Sequence, residues 1–95
     1  MTYKLKFLPL ALKEWQKLDR SIQTQLKKKL SERLENPHVP QSKLQGFDAV
    51  YKIKLRASGY RLVYEVDDET IVVLVIAVGK RDRNDVYDKA KDRLS

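Results

Sequence analysis

The feature that most limits how this chain can fold is the apolar run from Ile71 to Val78, eight residues without a polar break, ending at Gly79. Such a run is far too short to cross a bilayer as a helix. It is also too uniformly apolar for a strand with one face in water, and it reads as a strand covered on both faces. With 95 residues there is room for one domain, 1–95, so the rest of the chain has to supply that cover.

The N-terminal part has two kinds of periodicity. Tyr3, Leu5 and Phe7 alternate with Lys4 and Lys6, which predicts a short half-buried strand. Pro9 suits the first turn of a helix, and Leu8, Leu12, Trp15 and Leu18 recur at helical spacing, predicting an amphipathic helix over 9–19. Asp19 or Ser21 can cap a second helix, whose stripe is Ile22, Leu26, Leu30 and Leu34. Asn36-Pro37 ends it, because a residue before proline is pushed out of the helical region. The turn between the two helices is short, so they should form an antiparallel hairpin.

After a loop over 38–49 the period becomes two. Tyr51, Ile53 and Leu55 share one face, and Tyr60, Leu62, Tyr64 and Val66 resume it beyond the turn Ala57-Ser58-Gly59. The polar segment 80–95 carries Val86, Ala90 and Leu94 every four residues and predicts a weakly amphipathic final helix. The order is β-α-α-β-β-β plus a C-terminal helix. It is read as an α+β two-layer domain, an antiparallel sheet with the helix hairpin on one face.

Aligning the apolar faces of the hairpin sets Tyr51 opposite Tyr64, Ile53 opposite Leu62 and Leu55 opposite Tyr60, around a two-residue loop at Ala57-Ser58. The same register sets Lys54 opposite Arg61 and gathers Lys52, Lys54, Arg56 and Arg61 on the face away from the helices. A one-residue slip would bury lysine in the core. Like charges directly opposite one another are destabilising. Lysines that guard an edge strand against aggregation account for part of the pattern, but not for the fourth cation facing them across the hairpin. The cluster has the form of an anion site. The net charge of +7 agrees, since at this size it points to a polyanion and to nucleic acid before acidic membrane.

Other chemistries lack their residues. There is no cysteine, which removes disulfides, thiolate metal sites and cysteine nucleophiles and suits a reducing cytoplasm. The single histidine, His38, rules out His-pair mechanisms, and the Asp67-Asp68-Glu69 turn has no metal-loop spacing, so no metal or cofactor is expected. Charges interrupt every apolar stretch of the N-terminus, so neither a signal peptide nor a membrane span is expected there.

The runs YKIKLRASGYRLVYEV and VIAVGKRDRNDVYDKA, with ALKEW and LKKKL earlier, resemble the RelE/ParE toxin superfamily, and within it the RelE branch of mRNA-cleaving toxins, over essentially the whole chain. The resemblance implies a RelE/ParE-type fold and a ribosome-dependent, metal-independent endoribonuclease that cuts the codon in the ribosomal A site. Carried over residue by residue, it implies Lys52, Lys54, Arg61, Arg81 and Tyr87 as the catalytic set. Gln45 stands where the best-known relative has an arginine. Lys27, Lys28, Lys29, Arg33, Arg56, Lys80 and Arg83 would add RNA contacts. The implied partners are the 70S ribosome with its rRNA and mRNA, and an acidic RelB-like antitoxin in a hetero-oligomeric complex that binds DNA through the antitoxin.

With no strong acid–base pair at hand, the chemistry implied is attack by the RNA 2′-hydroxyl on the adjacent phosphorus. Lys54 is the candidate base, because neighbouring cations disfavour its charged form. Two alternatives remain at this point: a ParE-like poison of DNA gyrase, and an RNA-binding module without catalysis.

Overall fold

In the computed structural model, which describes residues 2–80 and 85–94, the apolar run forms strand β4 (Val72–Lys80). The remaining elements are β1 (Lys4–Phe7), α1 (Pro9–Gln16), α2 (Arg20–Glu35), a 3-10 turn (Pro40–Ser42), β2 (Val50–Leu55), β3 (Tyr60–Asp67) and α3 (Asp85–Leu94). One sheet has the order β1-β4-β3-β2, so β4 lies inside it, and Val73, Val75, Ile76, Ala77 and Val78 are all buried. The strand starts one residue later than the run because Ile71 adopts φ 58° in the preceding turn, and it continues past Gly79 to Lys80.

The element order and the α+β class are as expected. The β2–β3 register is also the expected one, with Tyr51 opposite Tyr64, Ile53 opposite Leu62, Lys54 opposite Arg61 and Leu55 opposite Tyr60. The loop is longer than two residues. Pairing stops at Leu55–Tyr60, Gly59 takes φ 78° and its amide donates to the Leu55 carbonyl at 2.8 Å, so Arg56 belongs to the turn and not to the strand. Helix α1 stops at Gln16, and Asp19 takes the N-cap of α2 without a side-chain capping bond.

Two features depart from a purely antiparallel two-layer arrangement. Strand β1 pairs parallel with β4, Lys4 against Val72 through Phe7 against Val75. Parallel neighbours need a long crossover, and here the two helices and the β2–β3 hairpin all lie between them in sequence. The second departure is α3. Helices α1 and α2 bury Ala11, Trp15, Ile22, Leu26 and Leu30 on one face of the sheet, against Tyr51, Ile53, Leu62, Tyr64 and Val75. Val86 and Ala90 of α3 close a second core on the opposite face with Val50, Val63, Ile76 and Ala77. Helices therefore cover both faces, and there are three layers.

A bulge in β4 aligns the second face. Val63 pairs with Ala77 but Tyr64 with Val75, which leaves Ile76 as the extra residue and reverses the alternation beyond it. Gly79 consequently falls opposite Arg61 and Lys80 opposite Tyr60. A Cβ on Gly79 would come within 3.1 Å of Val86 Cγ2, so the glycine lets α3 approach the sheet this closely.

Strand β1 ends at Phe7, and side chains replace it along the rest of β4. Glu14 Oε1 accepts the Val78 amide at 3.2 Å, and Arg93 donates to the Ile76 carbonyl at 2.8 Å. Arg93 also pairs with Glu14 at 2.8 and 3.1 Å, and Lys89 with Glu14 at 3.0 Å. Burial pushes the Glu14 carboxyl up, but bonds from Arg93, the Val78 amide and Lys89 outweigh it and hold the group below the usual carboxylate range. This clamp joins α3 to α1 past the sheet edge.

Candidate active site on the second face of the sheet

The second face brings the expected cations together in rows. One cross-strand row is Lys54, Arg61 and Gly79; the next is Lys52, Val63 and Ala77. Arg61 is the only buried charged residue among those described, at 7% exposure. One of its nitrogens donates to the Tyr60 carbonyl at 3.1 Å, and its Nε has no partner. Burying a guanidinium with an unmet donor is costly. Glycine as its neighbour in the row adds no side chain beside it.

Lys52 is half-buried, and its Nζ stands 5.7 Å from the centroid of the Tyr87 ring. Such a cation–π contact contributes about 0.5–1 kcal/mol. It fixes Tyr87, which packs at the border of the second core, beside the basic row. Lys54 and Arg56 are exposed, and with Lys29, Lys52 and Arg33 they line a groove along the outer edge of β2, closed by Gln41 and Ser42. A second groove, bounded by Lys43, Lys52, Tyr87 and Lys91, lies between the 43–48 loop and α3. Lys52 belongs to both.

Other expected residues are placed differently. Lys27 and Lys28 are exposed on α2 but line neither groove. Arg33 is a strut for the fold: it donates to the Tyr64 phenol at 2.9 Å, the Lys52 carbonyl at 3.3 Å and Ser42 at 3.3 Å. Lys80 is exposed in the row of Tyr60, whose ring packs with the first core, because the bulge turned the alternation. Arg81 and Arg83 lie outside the described residues.

Among the described residues, neither Lys52 nor Arg61 belongs to an ion pair such as His38–Asp68, Lys89–Glu14 or Arg93–Glu14. Asp88 borders the second groove, while Glu65 sits opposite Val50 and Leu74, at the far end of β3.

Sequence reasoning gave His38 no task, but it holds one. Its Nδ1 lies 2.9 Å from the Tyr51 phenol and its Nε2 2.9 Å from Asp68, which also accepts from the Tyr3 phenol at 2.6 Å. The bond from Tyr3, then that from His38, holds the Asp68 carboxyl low. This chain of contacts ties the loop after α2 to the β3–β4 turn. Its members are too far apart in sequence for any spacing to reveal it.

A family model described as the ParE toxin of the type II toxin–antitoxin system, parDE, matches residues 5–85. The mRNA interferase toxin RelE of Escherichia coli strain K12 is 56% identical over 94 residues, 99% of either chain. The structure of an arginine-to-alanine double variant of E. coli RelE in the free state matches with a TM-score of 0.92 at 54% identity, covering 100% of both chains. A chain of the intact E. coli RelBE toxin–antitoxin complex matches with a TM-score of 0.82 at 58% identity, over 85% of this chain and 99% of that one.

Proposed function

This chain belongs to the RelE/ParE family of type II toxins, and from that membership we propose that it is an mRNA interferase, an endoribonuclease that cuts mRNA in the ribosomal A site and so stops translation. The observation that carries this reading is Arg61: buried, with an unmet donor, directly opposite Lys54, on the face that also holds Lys52 and Tyr87. A phosphodiester supplies an acceptor for the unmet Arg61 donor.

The reaction is a transesterification. The 2′-hydroxyl of the nucleotide before the cut loses its proton to Lys54 and attacks the adjacent phosphorus. The bond to the 5′-oxygen of the next nucleotide breaks, leaving a 2′,3′-cyclic phosphate and a 5′-hydroxyl. Arg61, with a fork of donors, and Lys52 hold the equatorial oxygens as charge builds on them. Arg81 donates a hydrogen bond to the departing oxygen, which takes its proton from solvent water, and Tyr87 stacks on a base of the codon. No metal ion takes part.

A site without a strong acid–base pair depends on position, and the ribosome supplies it. Lys27, Lys28, Lys29 and Arg56 lie on exposed surface suited to rRNA phosphates, with a matching salt dependence. In the cytoplasm an acidic RelB-like antitoxin neutralises the same surface, competes for the place of α3 and carries the complex to DNA.

The test is to incubate the protein with translating ribosomes in EDTA and map the mRNA ends. Codon-phased cuts ending in cyclic phosphate are expected. Intact mRNA with arrested DNA gyrase would overturn the reading in favour of a gyrase poison, and intact mRNA with neither effect in favour of a binding module.

A further inference from the structure

Strand β2 is an edge of the sheet, so half of its peptide groups face away from β3. The Val66 amide donates to the Ala49 carbonyl at 2.8 Å, and the register carries this bonded alternation on to Tyr51, Ile53 and Leu55. The peptide groups of Val50 and Lys52 therefore point outward. The loop covers the first of them, with the Leu44 amide on the Val50 carbonyl at 2.8 Å and a bridge between Lys43 and Tyr51. At Lys52 a side chain of α2 stands in for a strand: Arg33 Nη1 donates to the Lys52 carbonyl at 3.3 Å. The same nitrogen donates to the Tyr64 phenol at 2.9 Å, and Nη2 donates to Ser42 Oγ at 3.3 Å. Tyr64 is fully buried in the first core, and its own proton goes to the Pro37 carbonyl at 2.7 Å. The phenol oxygen thus fixes Nη1, and Nη1 fixes the outer edge of β2.

We propose that Arg33 is a positioning residue for cleavage: by holding the Lys52 carbonyl from the helix side of the sheet, it sets the Lys52 ammonium against the scissile phosphate and the Tyr87 ring. The inference rests on the RNA-cleaving reading and adds to it a residue that touches no RNA. A carbonyl held in the plane of the sheet fixes the direction in which the side chain of the same residue leaves the strand. Lys52 leaves toward the second face, where its Nζ stands 5.7 Å from the Tyr87 ring centroid. A cation beside a basic groove invites the reading of a phosphate contact. Arg33, however, is half-buried, and three of its five N–H donors are taken by uncharged groups of the protein. A lysine there would keep the charge and lose the fork that spans Lys52, Tyr64 and Ser42 at once.

Arg33→Lys makes that separation. On ribosomes programmed with one defined codon, kcat is expected to fall about tenfold, with KM within about twofold and the salt dependence of ribosome binding unchanged. In the free protein, the Tyr87 ring signals in a carbon–proton NMR spectrum should shift, because the Lys52 ammonium no longer stands over the ring. Ser42→Ala leaves the first core untouched and decides the matter even where Arg33→Lys does not fold. It should shift the same ring signals and lower kcat about threefold. Lys17→Ala, an exposed lysine of the turn after α1, is the control and should alter neither readout. Reduced stability with kcat and the Tyr87 signals unaltered in the folded protein would overturn the proposal, since Arg33 would then serve the fold alone. A raised KM and a shallower salt slope in Arg33→Gln, with kcat kept, would also overturn it, by making Arg33 a phosphate contact. Absence of cleavage by the unaltered chain would instead strike the nuclease reading, and the Tyr87 signals would still decide whether Arg33 places Lys52.

Discussion

The two faces of the sheet come from the same strands and differ in what their side chains do. Under α1 and α2, alternate residues such as Ile53, Leu62, Tyr64 and Val75 are fully buried in one apolar cluster. Even the polar tip there is satisfied: the Tyr64 phenol donates to the Pro37 carbonyl at 2.7 Å and accepts from Arg33. On the other face α3 covers only part of the surface with Val86 and Ala90, and the remainder is Lys52, Lys54 and a buried Arg61 with an unmet donor. The first face gains stability from every residue it holds. The second keeps groups that cost stability, which is the pattern of a site retained for its ligand.

The sharpest way to separate the faces is Arg61→Met. It should cut mRNA cleavage about a thousandfold, while chemical denaturation shows stability unchanged or raised by about 1 kcal/mol, since the unmet donor is gone. A large loss of stability would break the contrast. Ile53→Ala on the other face is expected to do the reverse, lowering the unfolding free energy by about 3 kcal/mol while the folded fraction keeps its cleavage rate.

Helix α3 lies between these extremes. It should exchange its amides faster than β4 in hydrogen exchange, and Glu14→Gln should speed that exchange about tenfold by loosening Arg93 and Lys89. The pH dependence has a definite sign. A carboxyl lowered in the folded state from 4.5 adds stability that is fully present above that value and lost as pH falls through the lower folded one. The acid-side loosening of α3 should be present in the unaltered protein and missing in Glu14→Gln. The smallest expected effect is Lys28→Ala, which should move stability by less than about 0.5 kcal/mol and lower only the salt dependence of ribosome binding.

What could be read from the sequence was what local alternation controls. The hairpin register followed from Tyr51, Ile53 and Leu55 having to meet Tyr64, Leu62 and Tyr60, and it placed Lys54 opposite Arg61. The buried strand followed from the run at 71–78, and the stripe of α3 from Val86 and Ala90. What could not be read depends on contacts distant in sequence. The parallel pairing of β1, the Glu14–Arg93 clamp and the His38–Asp68 tie leave no periodic trace. The bulge at Ile76 is invisible inside a uniformly apolar run, and it sets Lys80 opposite Tyr60 and Gly79 opposite Arg61. Arg33 sits on a helix position that reads as solvated, and only the approach of β2 and Tyr64 shows that the fold uses it.

The central claim is that the basic set Lys52, Lys54, Arg61 and Arg81 performs the cleavage. Single-turnover cleavage on programmed ribosomes by Lys54→Ala and by Arg81→Ala, each with its folding checked, tests it most directly. A fall of about a hundredfold or more for each is expected. Cleavage at the unaltered rate by both variants would contradict it.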